Sequence, residues 1–144
     1  MQVTITRAPG IVVQTSFIHK LSQVIGRVLP RYRGSAFSIA FVSNSVIRRL
    51  NKTYRRKDAP TDVLSFAERE SASGWLDQNY LGDIVIAYPY ARRQARLQGI
   101  SIRQELVWLV THGFLHLIGH DHMRPQEQRR MLALEKKIIN RFTR

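Results

Sequence analysis

The chain has 144 residues, room for one domain with a real core and too few for two ordinary ones. It has no cysteine, which excludes disulfides and thiolate metal sites, and no apolar run near the roughly 20 residues that span a membrane. Lys and Arg number 23 against 10 Asp and Glu, a formal charge of +13 with arginine dominant, so the expected partner is a polyanion, nucleic acid first.

Residues 2–6 alternate like a strand and lack the long apolar segment of a signal peptide, which points to a soluble cytoplasmic protein. Pro9 and Gly10 break the strand. Residues 15–29 have helical spacing, with Phe17, Ile18, Leu21, Val24, Ile25, Val28 and Leu29 on one face. Pro30 and Gly34 mark the loop that follows. Phe37 to Val42 reads as a second strand, with Phe37, Ile39 and Phe41 on one side. Ser43 caps a short helix from about Asn44 to Asn51, with Val46, Ile47 and Leu50 inward.

A basic cluster, Arg55-Arg56-Lys57, then leads through Pro60 into a strand ending at Phe66. Taken alone, such a cluster is a solvated charge run. Residues 67–81 show no consistent period and read as a mobile connection between two strands, with Trp75 and Tyr80 pinning it to the body. Gly82 to Ala87 is a further strand. Pro89 opens a helix to about Gln98 whose Arg92, Arg93 and Arg96 form a basic surface. Gly99 ends it. Ser101 and Gln104 then form a capping box for a helix that is apolar on most of its circumference, and hence buried. Pro125 opens the last helix, with Met131, Leu132, Leu134, Ile138, Ile139 and Phe142 as its apolar face and the charges between them solvated. The order is strand, helix, strand, helix, strand, strand, then three helices. It predicts one α+β domain over 1–144, with a mixed sheet of about four strands packed with about five helices around the buried one.

That buried helix carries the chemistry. Four of the five histidines fall between His112 and His122. His112 and His116 sit one helical turn apart with roughly 6 Å between Cβ atoms, so both imidazoles can grip one ion. A lone histidine on an apolar helix is usually a satisfied core residue. Two at this spacing followed by Gly119 and His-Asp-His are much harder to explain as packing. Gly119 offers the helix end, and the returning chain can deliver a third ligand from His120, Asp121 or His122. Three protein ligands leave an open position on a tetrahedral ion, the catalytic pattern. Zinc peptidases place a glutamate after the first histidine, and Gly113 stands there, which weighs against peptide hydrolysis. Asp121 is the natural acceptor for a hydrogen bond from a ligand imidazole.

His112-Gly113-x-Leu115-His116-Leu117-x-Gly119-x-Asp121-His122 resembles the signature of the YbeY endoribonucleases, which act in ribosomal RNA maturation. Leu50, Asn51, Tyr54, Arg55 and the run Pro60 to Phe66 also match that family, as does Gly82-Asp83-Ile84. The resemblance implies that His112, His116 and His122 are the zinc ligands, one ion per chain, and that His120 is a variable position. Other divalent transition metals also fit three imidazoles. It implies as well that Arg55 is the active-site arginine, where a guanidinium can hold phosphate. Thr61, Asp62 and Ser65 are candidates to line the same cleft, Thr61 and Ser65 as substrate contacts. The function it implies is single-strand-specific, zinc-dependent cleavage of ribosomal RNA in processing and ribosome quality control, with ribosomal or ribosome-associated proteins as partners and no membrane. Two rivals are a ribosome-associated RNA-binding factor with a structural metal, which a fourth ligand from His120 or Asp121 would favour, and a zinc hydrolase of another substrate class. The strongly basic surface is a departure that bears on partner and substrate preference.

Overall fold

The computed structural model describes residues 1–70 and 79–144. Four strands, β1 (Gln2–Arg7), β2 (Ala36–Val42), β3 (Val63–Ala67) and β4 (Tyr80–Ala87), form one sheet in the order β1-β2-β4-β3. β1 and β2 are parallel, as are β2 and β4, while β3 runs antiparallel to β4. The helices are α1 (Ser16–Val28), α2 (Asn44–Arg55), α3 (Tyr88–Gln98), α4 (Ile102–Leu117) and α5 (Pro125–Thr143). The α+β class, the mixed four-stranded sheet and the five helices agree with the sequence pattern.

Strand β4 lies between two neighbours and is covered on both faces. Its alternate residues therefore enter two different cores. Ile84 and Ile86 join Phe37, Ile39 and Phe41 of β2 beneath α1 and α4. Val85 and Ala87 join Ile47 of α2 and Leu64 of β3 on the opposite side. Helix α4 is seated in the larger core by Leu106, Leu109, Val110 and Phe114, all nearly inaccessible. The Phe114 ring meets Phe37 edge-on at 5.2 Å between centroids. Truncating a buried phenylalanine of this kind costs about 3–5 kcal/mol. The α4 cap is as the sequence suggests: Gln104 N donates to Ser101 Oγ at 3.0 Å, and Ser101 N donates to Gln104 Oε1 at 2.9 Å.

Two boundaries differ from the sequence reading. Helix α2 continues one turn past Asn51 to Arg55, because Lys52-Thr53-Tyr54 contains no glycine or proline to stop it. It ends where Arg56 turns left-handed at φ 60°. Arg55 is thus a helical residue. Strand β4 begins at Tyr80, paired with Ala36 across a register irregularity, so Tyr80 belongs to the sheet and its hydroxyl donates to Asp83. The connection is correspondingly shorter, and a 3-10 turn at Glu68–Glu70 opens it. Trp75 lies outside the described residues.

Candidate metal centre

Helix α4 sets His112 and His116 on one face, and their Nε2 atoms stand 3.1 Å apart. The helix is then closed by backbone bonds. Gly119 N donates to His116 O at 3.1 Å and His120 N to Leu115 O at 2.9 Å. Gly119 takes φ +100°, a conformation an L side chain would strain. The reversal carries His122 back over the helix end. One ligand atom from each of His112, His116 and His122 lies within 4.8 Å of the others. His120 lines the same cleft but is outside that group. Two imidazole nitrogens facing each other at hydrogen-bond distance, with a third alongside, suit a cation bound between neutral rings.

A carboxylate orients the first ring. His112 Nδ1 lies 2.6 Å from Oε1 of Glu135, a residue of α5 only 5% exposed. A proton held on Nδ1 by this contact leaves the Nε2 lone pair directed at the site. The indole of Trp108, one turn back on α4, stacks on the same imidazole at 4.7 Å and 19°. Burial, and then the neighbouring His112, hold the His116 imidazole below its ordinary pKa. That shift favours the neutral ring a metal requires.

Asp121 does not take the imidazole contact expected for it. Its Oδ1 accepts from Met123 N at 2.9 Å, an Asx-type turn that shapes the His-Asp-His loop, while Glu135 faces the ligand ring. The sequence did hold a trace of Glu135. It occupies the apolar stripe of α5 between Met131 and Ile138, where a carboxylate has to find a partner.

A cleft of about 540 Å³ opens over the triad. Arg55 enters from the last turn of α2, exposed, with Nη2 donating to Ser65 O at 2.8 Å and its guanidinium 5.1 Å from the centre of the Phe66 ring. Asp62 and Ser65 also line the cleft, and Thr61 does not. The Ser65 hydroxyl donates to Gly113 O at 3.0 Å, so it ties β3 to α4 beside His112. Gly113 itself faces the sheet: a Cβ there would meet Ile84 Cγ2 at 3.0 Å and Ser65 Oγ at 3.2 Å. The missing glutamate thus reflects a close helix–sheet approach. Arg69, unremarked in the sequence, adds a second guanidinium to the cleft wall, lying against Gly119.

The chain is similar to known proteins over most of its length. A family model described as endoribonuclease YbeY matches residues 11–143. A protein named endoribonuclease YbeY from Geobacillus thermodenitrificans is 47% identical over 115 residues, 76% of this chain and 74% of that one. One of the same name from Bacillus thuringiensis is 36% identical over 139 residues, 90% and 89% of the two chains. The fold is also similar to the solution structure of a Thermotoga maritima protein, at a TM-score of 0.62 and 22% identity, covering 98% of this chain and 91% of that one. With the match running over nearly its whole length and through every histidine of the triad, the chain belongs to the endoribonuclease YbeY family.

Proposed function

We propose that this metal-dependent endoribonuclease uses zinc, held by His112, His116 and His122, to cleave single-stranded ribosomal RNA during processing and quality control of ribosomes in the cytoplasm. The observation that carries the reading is the convergence of the three imidazoles with Arg55 on one open cleft. Among the described residues the group has three members, so a tetrahedral ion keeps a position for substrate or water. This weighs against a purely structural metal. The bound ion would supply a Lewis acid and a water of lowered pKa.

The chain's own residues do the rest. Glu135 holds the proton at His112 Nδ1 and fixes that ring. Arg55, anchored on Ser65 O, presents its remaining N–H groups to a phosphate and offsets negative charge that develops there. Asp62 and Ser65 line the same cleft, with the Ser65 hydroxyl committed to Gly113 O. Arg92, Arg93 and Arg96, exposed on α3, supply a basic surface for the phosphate backbone. Ribosome-associated proteins are the partners that fit such a role. No helix among the described residues is long and apolar enough to cross a membrane.

The test is cleavage of an end-labelled ribosomal RNA segment, single-stranded and annealed to its complement, before and after chelation. Cleavage confined to the single strand and lost on chelation supports the reading. Equal cleavage of the duplex, or cleavage that survives chelation, overturns it.

A further inference from the structure

A second cavity, of about 610 Å³, lies along α4 on the N-terminal side of the histidines, between α3 and α5. Its walls are largely apolar, from Val107, Trp108, Ile139 and Phe142. Its polar lining includes Arg103, Gln98, Gln104 and Glu105, the last only 3% exposed. The Gln94 amide, oriented with its nitrogen toward the two carboxylates, donates to Glu105 Oε1 and Asp62 Oδ2 at 3.2 Å each. Glu105 Oε2 has no protein partner among the described hydrogen bonds. No fully buried side-chain polar atom among the described residues lacks a partner, so this oxygen keeps some accessibility. No histidine or third carboxylate joins the pair to make a metal site among the described residues. Burial, and then the charge of Asp62, push the Glu105 carboxyl up from its ordinary range. Arg103 lines the cavity but makes no ion pair with Glu105 among the described residues, and a buried carboxylate with a free oxygen is relieved by N–H donors.

The cavity neighbours the metal centre. Asp62 borders both spaces, and Trp108 lines the cavity while stacking on His112. Glu105 and His112 are separated by about 10 Å along the helix axis, a span a neighbouring nucleotide covers. An aromatic wall with a carboxylate at its edge is how unpaired RNA bases are stacked and read.

Resting on the nuclease reading, we propose that this cavity is a guanine-binding subsite for a nucleotide flanking the phosphate at the metal centre, with Glu105 accepting from guanine N1–H and N2–H and Trp108 forming the aromatic wall. Guanine is the base whose Watson–Crick edge carries two adjacent N–H donors. Adenine and cytosine set a ring acceptor beside the amino group, and uracil sets its one N–H between two carbonyls, so each turns lone pairs toward Glu105 and Asp62. The oxygen shared with Gln94 still has a lone pair to offer.

The experiment is calorimetric titration of the full-length protein, and of Glu105→Gln, with guanosine 5′-monophosphate and inosine 5′-monophosphate, which lacks the 2-amino group. The subsite predicts that the guanosine nucleotide binds about tenfold tighter than the inosine one, and that Glu105→Gln removes the difference. Equal affinities, or a preference unchanged in Glu105→Gln, overturn it. Should Glu105→Gln fail to fold, the comparison on the unaltered protein decides alone. Cleavage of RNA is followed separately. A nuclease without the guanine preference loses the subsite and keeps the activity. A guanine preference without cleavage keeps the subsite and sinks the nuclease reading.

Discussion

Glu135 on α5 and His112 on α4 face each other at 2.6 Å, so α5 orients the first of the three imidazoles that could hold a metal. Glu135→Gln keeps the size of the side chain and loses its charge. The expected result is a metal affinity lower by about 10–100-fold with the fold retained. Competition with a coloured chelator measures it, and an unchanged affinity would show that the contact does not support the ligand.

In the proposed mechanism Arg55 acts on the phosphate and not on the metal. Arg55→Ala is expected to leave metal content unchanged and to lower kcat/KM by about 10²-fold. Arg55→Lys restores the charge without the planar fork that also reaches Ser65 O, so recovery is partial. Single-turnover cleavage, with metal analysis of the same samples, separates the two effects. A rate equal to that of the unaltered protein would return Arg55 to the solvated charges.

Gly113 keeps α4 close to the sheet. Gly113→Ala brings a Cβ to 3.0 Å from Ile84 Cγ2, and overpacking of this kind costs about 1–3 kcal/mol. Gly113→Glu restores the peptidase spacing, yet it is expected to lower the melting temperature further and to create no peptidase. Thermal melts and a peptide-hydrolysis assay read both outcomes.

Much of this was legible because it is local. Ser101 and Gln104 cap α4 within one turn, Phe37, Ile39 and Phe41 alternate along one strand, and Gly119 ends the helix that bears the histidines. What escaped is long-range. The partner of His112 stands 23 residues later on another helix, and no spacing rule couples the two. Asp121, adjacent in sequence, is the local candidate, and its carboxylate accepts from Met123 N in its own turn. Thr61 sits beside cleft residues in sequence but off the cleft wall in space, whereas Arg69 joins it through the approach of its loop to Gly119. The turn that α2 gains past Asn51 has a different origin: helix propagation needs no signal, only the absence of a breaker.

Tyr80 gives the fold a pH dependence. Burial, and then its hydrogen bond to Asp83, push its phenol up to about 12. An unfolded tyrosine ionises near 10. Because the folded pKa is the higher one, this contribution to stability is fully present below pH of about 10 and is lost as pH rises toward the folded value. Denaturant melts across that window are expected to fall more steeply for the unaltered protein than for Tyr80→Phe. Identical slopes would show that the Tyr80–Asp83 contact is not formed in solution.

In the proposed function the triad holds a metal which the cleavage reaction requires. Its most direct test is paired: bound metal and RNA cleavage rate, measured on the same preparations of the protein and of His116→Ala. Close to one zinc per chain with cleavage is expected in the first, and loss of both in the second. Cleavage that persists in a metal-free His116→Ala protein would contradict it.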